Sequence, residues 1–368
     1  MFAKKDNIHK DQVLYMVIQA QVGVGILSLP YNIAKYANQD SWISTLIAGI
    51  IMLGVILIMW LLCKAYPTMM MFDIFKQITG NWLGKCLIIG YTFYFMLQSS
   101  YILARYGKII ENWILERTPH WVVLLLMVLT SAYIVKGSVQ SIVRFFMLVT
   151  PLLILLFALS SYALRDANFL YILPIGENGW MPILRGSKEA IFSMLGFDLI
   201  FFLYPYIRAS NTQILKSVII AHLMVTLLYT YLVIISLVYF VSPSDIKRVP
   251  EPFIYMIKSY SFQVIERMDL FFISIWIVSV ATSYMYLLLL SAKGMAHLFA
   301  SPKHTRFLPY ICLFTLMASL WFMDLDKLNV VNNYLTVCHY LFQAIIPALL
   351  LFISIVMRKR AGDKHEVQ

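Results

Sequence analysis

The chain is a succession of apolar runs separated by short polar segments. Ten of these runs have the length of roughly 20 residues that a helix needs to cross a bilayer. They cover residues 12–36, 41–63, 86–108, 120–136, 145–163, 188–207, 217–241, 269–292, 307–323 and 332–357. Residues 69–78 are too short and too polar to cross, and we expect them to lie on the membrane interface. The pattern predicts an all-α polytopic membrane protein with ten transmembrane helices.

The ten runs fall into two groups of five. A loop rich in Pro and Gly, at residues 172–182, separates the groups. The chain is interpreted as one membrane domain, 1–368, with repeats at about 12–163 and 188–357 and a linker at about 164–187. Because five is an odd number, a second half with the fold of the first must be inserted in the opposite orientation. The predicted architecture is therefore a 5+5 inverted repeat.

Helix-weakening residues occur at matching places in the two halves. The first run contains Gly23 and Gly25, followed by Pro30, and the sixth contains Gly196 and Asp198. A glycine in a helix interior costs about 1 kcal/mol relative to alanine. Unwound backbone at membrane depth persists only where it is buried in protein or lines a cavity, so paired breaks indicate a binding site near the midplane. The alternative is that the glycines only allow helices to pack closely.

Composition agrees with a membrane protein and excludes several functions. Of the 368 residues, 61% are hydrophobic and 13% are charged, against about 25% charged residues in soluble domains. The formal net charge is +11, but the basic residues are scattered between apolar runs, which does not predict nucleic-acid binding. The four cysteines are isolated, and we expect neither a disulfide nor a metal or other cofactor. No nucleophile or phosphate-binding loop predicts an enzyme.

The basic residues also predict the orientation of the chain in the membrane. More Lys and Arg residues lie on the cytoplasmic side when the N-terminus is placed in the cytoplasm than when it is placed outside. With an even number of spans, both termini are then expected to be cytoplasmic.

Five segments resemble the amino-acid permease-like B subunits of bacterial endospore germination receptors, within the amino acid-polyamine-organocation superfamily. The first segment is Gly-Val-Gly-Ile-Leu-Ser-Leu-Pro at 23–30, and the second begins with Phe-Ser-Met-Leu-Gly-Phe-Asp at 192–198 and continues to residue 203. The other three are residues 174–182, residues 276–286 and Ser-Leu-Trp at 319–321. The resemblance covers nearly the whole chain. It implies a LeuT-like fold, residence in the spore inner membrane, and nutrient sensing alongside an A subunit and a lipoprotein C subunit.

We predict a ligand pocket between the first, third, sixth and eighth runs. The free amides that begin the second half-helix of the first run favour a carboxylate, as an amino acid would supply. The predicted ligand-binding residues are Gly23, Val24, Gly25, Ile26, Tyr101, Gly196, Phe197, Asp198, Leu199, Thr282 and Ser283. Large side chains in this set favour a small apolar amino acid if they point inward.

Two features of this pocket have more than one explanation. Asp198 is predicted near the middle of a run, where an acid costs about 2.5–3.5 kcal/mol on insertion scales. It could pair with a ligand ammonium, hold or release a proton, or be a protonated structural acid. Thr282 and Ser283, with Ser279, could complete a cation site with carbonyls of the first run, or bond their own backbone or a neighbouring helix.

The expected function is that of a receptor subunit, in which an amino acid shifts an equilibrium that partner subunits detect. Besides those subunits, the expected contacts are with membrane lipid, and none with nucleic acid. An ion-coupled amino-acid transporter is the alternative, and the absence of a lysine from 145–163 counts against it. A channel is a weaker alternative, because strongly apolar spans do not predict a wide polar lumen.

Overall fold

The computed structural model describes residues 8–177, 179–260 and 267–365, with side chains as far as residue 357. The described residues are helical apart from turns, loops and one isolated parallel bridge between Ile8 and Ile207. The two chain ends, 1–7 and 366–368, lie outside the described residues, so their predicted cytoplasmic location stays a prediction.

Seven α-helices lie in the first half of the chain, in the part that begins at residue 8. They are α1 (Lys10–Gln21), α2 (Leu29–Ala37), α3 (Ser41–Ala65), α4 (Met71–Trp113), α5 (His120–Val135), α6 (Val139–Val149) and α7 (Leu152–Ser161). Within α4, Gly80 has a φ of 80°, which is outside the helical range. The segment predicted to lie on the interface therefore continues through a kink at Gly80 into the third run.

Nine α-helices lie in the second half of the chain within residues 179–260 and 267–365. They are α8 (Trp180–Ser193), α9 (Leu199–Leu203), α10 (Asn211–Tyr239), α11 (Pro243–Ile246), α12 (Pro252–Lys258), α13 (Met268–Leu298), α14 (Leu308–Phe322), α15 (Leu325–His339) and α16 (Ile346–His365). A π-helical segment, Tyr340–Ile345, joins α15 to α16. Helix α8 begins well before residue 188, inside the segment predicted as the linker, and the division into two repeats stays a prediction. The charged residues Arg185, Lys188 and Glu189 interrupt the apolar pattern there and concealed the start of the helix.

Among the residues that the structure describes, six helical stretches are long and apolar enough to cross a membrane. These are Leu29–Ala65, Met71–Trp113, Val139–Asp166, Asn211–Tyr239, Met268–Leu298 and Leu325–Met357. Two shorter apolar helices, α5 and α14, coincide with the fourth and ninth predicted runs. The chain is an all-α polytopic membrane protein, as predicted, while the count of ten spans stays a prediction.

Both predicted helix breaks are confirmed. Helix α1 ends at Gln21 and α2 begins at Leu29, with a single 3-10 turn at Val24–Ile26 between them. Helix α8 ends at Ser193 and α9 begins at Leu199. We call residues 22–28 the first break and residues 194–198 the second break.

Packing brings the two breaks together. Helix α1 packs against α10 and α13, while α8 packs against α2 and α3. Gly196 in the second break lies so close to the end of α1 that a Cβ atom on it would be 2.5 Å from the carbonyl oxygen of Ala20. Helix α13, which also contacts α1, packs closely against α4, where a Cβ on Gly294 would meet Thr92 Oγ1 at 2.2 Å. Glycines in this protein therefore have two roles: some interrupt the helices, and others allow helices to pack closely.

Candidate functional site

A small cavity lies between the two breaks. Its volume is about 30 Å³, and since a water needs roughly 10–15 Å³ measured in this way, the cavity has room for one or two waters. The first break, α4, the end of α8 and α13 all contribute to its walls. The space between the breaks is therefore smaller than an amino acid in this structure, and we call this arrangement the closed state.

The predicted site residues divide into those that line this cavity and those that do not. Residues of the first group are Gly23, Val24, Gly25, Tyr101 and Ser283. Those of the second group are Ile26, Gly196, Phe197, Asp198, Leu199 and Thr282. All members of the second group except Gly196 have buried side chains that pack around the breaks. Their assignment to a ligand site stays a prediction.

The structure adds lining residues that were not predicted. Phe192 and Ser193 belong to the last turn of α8, directly before the second break. Tyr286 follows Ser283 by three residues on α13, and so lies on the same helix face. Gln21 is the last residue of α1. Proximity to a break and helical spacing from Ser283 are the signals that would have identified them.

Gln21 joins the two breaks through its side chain and backbone. Its Nε2 donates to the carbonyl oxygen of Met194, at 2.7 Å, and lies 3.0 Å from Nδ1 of His222. His222 Nε2 lies 3.0 Å from the carbonyl oxygen of Gly49, which can only accept, so Nε2 carries the proton and Nδ1 accepts from Gln21. Tyr229 donates to the carbonyl oxygen of Gln21 at 2.9 Å. One glutamine therefore fixes the end of α1 against both α10 and the second break.

Hydroxyl groups of α13 donate hydrogen bonds to the carbonyl oxygens at the end of α1. Ser283 Oγ lies 3.2 Å from the carbonyl oxygen of Val22 and 3.3 Å from that of Gln19. Thr282 Oγ1 lies 2.9 Å from Gln19 Oε1 and 2.8 Å from the carbonyl oxygen of Ser279. These contacts match the interpretation in which the hydroxyls bond a neighbouring helix and their own backbone. Among the described residues no group of three or more His, Cys, Asp or Glu could hold a metal ion.

A larger polar vestibule adjoins the cavity. It has a volume of about 490 Å³, and its lining includes Lys35, Arg105, Glu189 and three asparagines of α15, Asn329, Asn332 and Asn333. The rings of Tyr101 and Phe192 line both spaces and meet edge to face, with centroids 5.8 Å apart. These two rings therefore stand at the boundary between the vestibule and the cavity.

Charged groups surround the outer part of the vestibule. Arg105 Nη2 donates to Ser28 Oγ at 3.3 Å, at the start of α2. Glu251, in the loop before α12, accepts from Trp113 Nε1 at 3.4 Å. Burial raises the pKa of the Glu251 carboxyl, while the positive charge of Arg105 and the Trp113 hydrogen bond act in the opposite direction. The lining of the vestibule thus combines two cationic groups, Lys35 and Arg105, with the carboxyl group of Glu189 and asparagine amides, a set that can attract a zwitterion, while Glu251 follows the lining residue Pro250.

Asp198 lies in the second break, away from the cavity. Its side chain is 2% exposed, and Oδ2 accepts from Gln343 Nε2 at 3.4 Å. No hydrogen-bond partner of Oδ1 and no ion pair of this carboxyl is found among the described residues. Of the three roles open for Asp198, the contacts in this closed state fit a structural acid best.

We expect Asp198→Asn to leave stability nearly unchanged. An asparagine keeps the acceptor for Gln343 and has no charge to desolvate, so the melting temperature of the purified protein in detergent should match that of the parent. Asp269→Asn is the matched control, because Asp269 is also buried but pairs with Arg267 at 2.7 Å. If Asp198→Asn lowers the melting temperature as much as Asp269→Asn does, the charge of Asp198 is required.

Comparison with known proteins assigns the chain to a family. A sequence profile described as "Spore germination protein" matches residues 7–328. The chain belongs to the spore germination protein family. The resemblance of the sequence to germination-receptor subunits is thereby confirmed at the level of the family, and the chain is a non-enzymatic integral membrane protein.

Individual members of this family align over most of the chain. The chain is 28% identical over 326 residues to "Spore germination protein GerQB" of Bacillus cereus, covering 88% of each protein. It is 24% identical over 358 residues to "Spore germination protein A2" of Bacillus subtilis (strain 168), covering 95% of each.

A solved structure shares the fold. The chain superimposes with a TM-score of 0.71 on the structure described as "Crystal structure of MhsT in complex with L-phenylalanine", at 14% sequence identity, covering 96% of this chain and 89% of the other. At this level of identity the match concerns the fold alone. The predicted LeuT-like fold with interrupted first and sixth helices is confirmed.

Proposed function

We propose that this member of the spore germination protein family is a nutrient-sensing receptor subunit that binds a small amino acid between the two breaks. The observation that carries the proposal is the closed cavity, formed where two interrupted helices meet and bordered by Gly23, Gly25 and Ser193. Interrupted helices present free amides to a carboxylate and free carbonyls to an ammonium group. The protein of similar fold is described in complex with an amino acid, L-phenylalanine.

The small size of the cavity supports sensing. An amino acid must enlarge a space of about 30 Å³, so it binds an expanded state better than the closed state. A ligand shifts a conformational equilibrium only through such a difference in affinity. Separation of the rings of Tyr101 and Phe192 would open the cavity toward the vestibule, from which the ligand enters.

Membership of the family supports a setting for this function. We place the chain in the inner membrane of the spore with both termini in the cytoplasm, so that the vestibule faces away from the cytoplasm. Its partners are a receptor A subunit and a lipoprotein C subunit, which detect the change between closed and expanded states. The relatives named as spore germination proteins support this assignment.

An ion-coupled amino-acid transporter is the second candidate. The observation that favours it is the cluster of oxygens formed by Thr282, Ser283 and the carbonyls at the end of α1. Hydroxyl and carbonyl oxygens of this kind are ligands for hard cations.

Germination and uptake assays distinguish the two functions. Spores that lack this gene and parent spores are tested for loss of refractility on single amino acids, and purified protein in liposomes is tested for uptake of any active amino acid. Receptor function predicts that the mutant fails on one or a few amino acids while the liposomes take up none. Normal germination of the mutant together with uptake driven by an ion gradient would establish a transporter.

We expect Gly25→Val to abolish the response to the active amino acid while the protein stays in the membrane. A Cβ on Gly25 would meet Ser193 Oγ at 2.7 Å and Ser193 Cβ at 3.0 Å, so a larger side chain fills the ligand's place. Spore germination and protein level by immunoblot measure the two effects. Gly54→Val is the control, because a Cβ at Gly54 meets no atom within 4 Å. A normal response of Gly25→Val spores would contradict the proposed pocket.

A further inference from the structure

The π-helical segment between α15 and α16 lies beside both halves of the sixth run. Its neighbour His339, the last residue of α15, packs against Phe192 with ring centroids 4.8 Å apart. Phe192 precedes the second break and lines the cavity. Gln343, within the π-helical segment, donates to Asp198, the last residue of the same break and the N-cap of α9. Two residues of one helix, four positions apart, therefore hold the two half-helices between which the chain is unwound.

Tyr94 on α4 connects these two residues. Gln343 Nε2 lies 2.8 Å from the Tyr94 hydroxyl oxygen, and this hydroxyl lies 2.6 Å from His339 Nδ1. An amide nitrogen only donates, so Tyr94 accepts from Gln343 and gives its own proton to His339. Because the amide has no proton to release, the chain from His339 to Asp198 does not conduct protons. Its effect is to hold the relative positions of the groups it joins.

The π-helical segment is an irregular element in an otherwise regular helix. Such i→i+5 turns are rare, well under 1% of residues, and occur frequently at functional sites. Side chains from α4 support it, since Tyr91 donates to the carbonyl oxygen of Phe342 and the Tyr94 ring stacks on Phe342 at 5.0 Å. Conversion of the segment to regular α-helix would change the angle between His339 and Gln343. Their contacts with Phe192 and Asp198 would then change together.

We infer that His339 and Gln343 are positioning residues that couple the state of the cavity to α16 through the π-helical segment. When the cavity expands, Phe192 and Asp198 move relative to each other, and the segment transmits this movement to the C-terminal helix. The inference rests on the proposed function in one respect, since a ligand supplies the expansion in the spore. The coupling itself is a property of the protein without a ligand.

The first test measures access to the cavity without any amino acid. The full-length protein in liposomes carries alanine in place of its four cysteines and a reporter cysteine at the cavity, Ser193→Cys. We expect His339→Ala and Gln343→Leu each to raise the rate of modification by a small methanethiosulfonate reagent about tenfold, within the usual range for coupled sites. Val337→Ala is the control, because Val337 on α15 is 66% exposed. Unchanged rates in both variants would overturn the inference.

The second test runs in the opposite direction, because coupling between two sites is reciprocal. A fluorophore on Ile355→Cys, an exposed position of α16, reports the response when the added side chain of Gly25→Val presses against Ser193 and moves the first break away from the end of α8. We expect a change in emission that disappears in the His339→Ala, Gln343→Leu double variant. A response that persists in the double variant, or no response at all, would contradict coupling through these residues.

Conservative variants separate positioning from simple loss of fold. His339→Phe keeps a ring against Phe192 and should restore slow modification of the reporter. If the Gln343→Leu protein is not monodisperse, Gln343→Asn is tested in its place. Its shorter side chain cannot reach Asp198, but it keeps the polar amide group. A rate for His339→Phe as fast as that for His339→Ala would argue against the ring contact as the coupling element.

Adding the twenty standard amino acids singly to the Ser193→Cys protein tests the amino-acid site and the coupling through His339 and Gln343 separately. If none protects Ser193→Cys while the His339 and Gln343 variants speed its modification, the amino-acid assignment fails and the coupling stands. If one protects it while these variants behave like the parent, the coupling fails and the binding site stands.

Discussion

Gly196→Ala is expected to prevent recovery of most of the folded protein. Gly196 has a φ of 124°, in a region that L-residues avoid at a cost of about 1–3 kcal/mol. A Cβ at this position would also lie 2.5 Å from the oxygen and 2.6 Å from the carbon of the Ala20 carbonyl. These are backbone atoms, which cannot rotate away as a side chain can. Overpacking adds about 1–3 kcal/mol, so the two breaks must separate or the local fold is lost.

The yield of monodisperse protein in detergent and its melting temperature measure this effect. Gly80→Ala is the matched control, because Gly80 has a φ of 80° but a Cβ there would meet no atom within 4 Å. The control keeps the backbone cost and lacks the clash. If Gly196→Ala and Gly80→Ala lower the melting temperature equally, the close approach of the two breaks does not contribute to stability.

The positions of the breaks could be predicted because their causes are local. Glycines at 23, 25 and 196 weaken a helix wherever they occur, and the membrane environment limits where the resulting free backbone groups can lie. Length and apolarity of the runs likewise depend on the sequence alone. These features predicted the fold class and the place where two interrupted helices meet.

Which residues line the cavity depends on how each helix is rotated about its axis. The apolar pattern of the sequence does not determine this rotation. Asp198 illustrates the limit. Its place near the middle of the sixth run was evident from the sequence, but its side chain turns toward Gln343 rather than into the cavity. In helices that are apolar on every face, the hydrophobic pattern indicates depth and not rotation. For the same reason, Phe192 was not distinguished from the many other aromatic residues of the chain.

The π-helical segment could not be predicted for a different reason. Residues 340–345 contain neither Gly nor Pro, so no local signal marks an irregular turn. The segment is stabilised by Tyr91 and Tyr94, which are about 250 residues away along the chain. Only tertiary packing brings these donors and acceptors together.

Gln21→Leu is expected to lower stability by about 2–6 kcal/mol, since it leaves two buried acceptors without a donor at about 1–3 kcal/mol each. These are the carbonyl oxygen of Met194 and Nδ1 of His222. Leucine has nearly the volume of glutamine, so the change removes hydrogen bonds with little loss of packing. The melting temperature in detergent measures the effect, and Gln77→Leu, at an exposed position, is the control.

A double-mutant cycle assigns this effect to the contact between α1 and α10. His222→Leu removes one of the two acceptors, so Gln21→Leu should cost less in that background, with a coupling energy of about 0.5–3 kcal/mol. Additive losses would mean that the two side chains act independently and that Gln21 stabilises only the second break. Because Gln21 also lines the cavity, a large coupling energy would connect ligand-induced movement of the breaks with the packing of α10. The site would then be stabilised in its closed state by the same hydrogen bonds that a bound amino acid must rearrange.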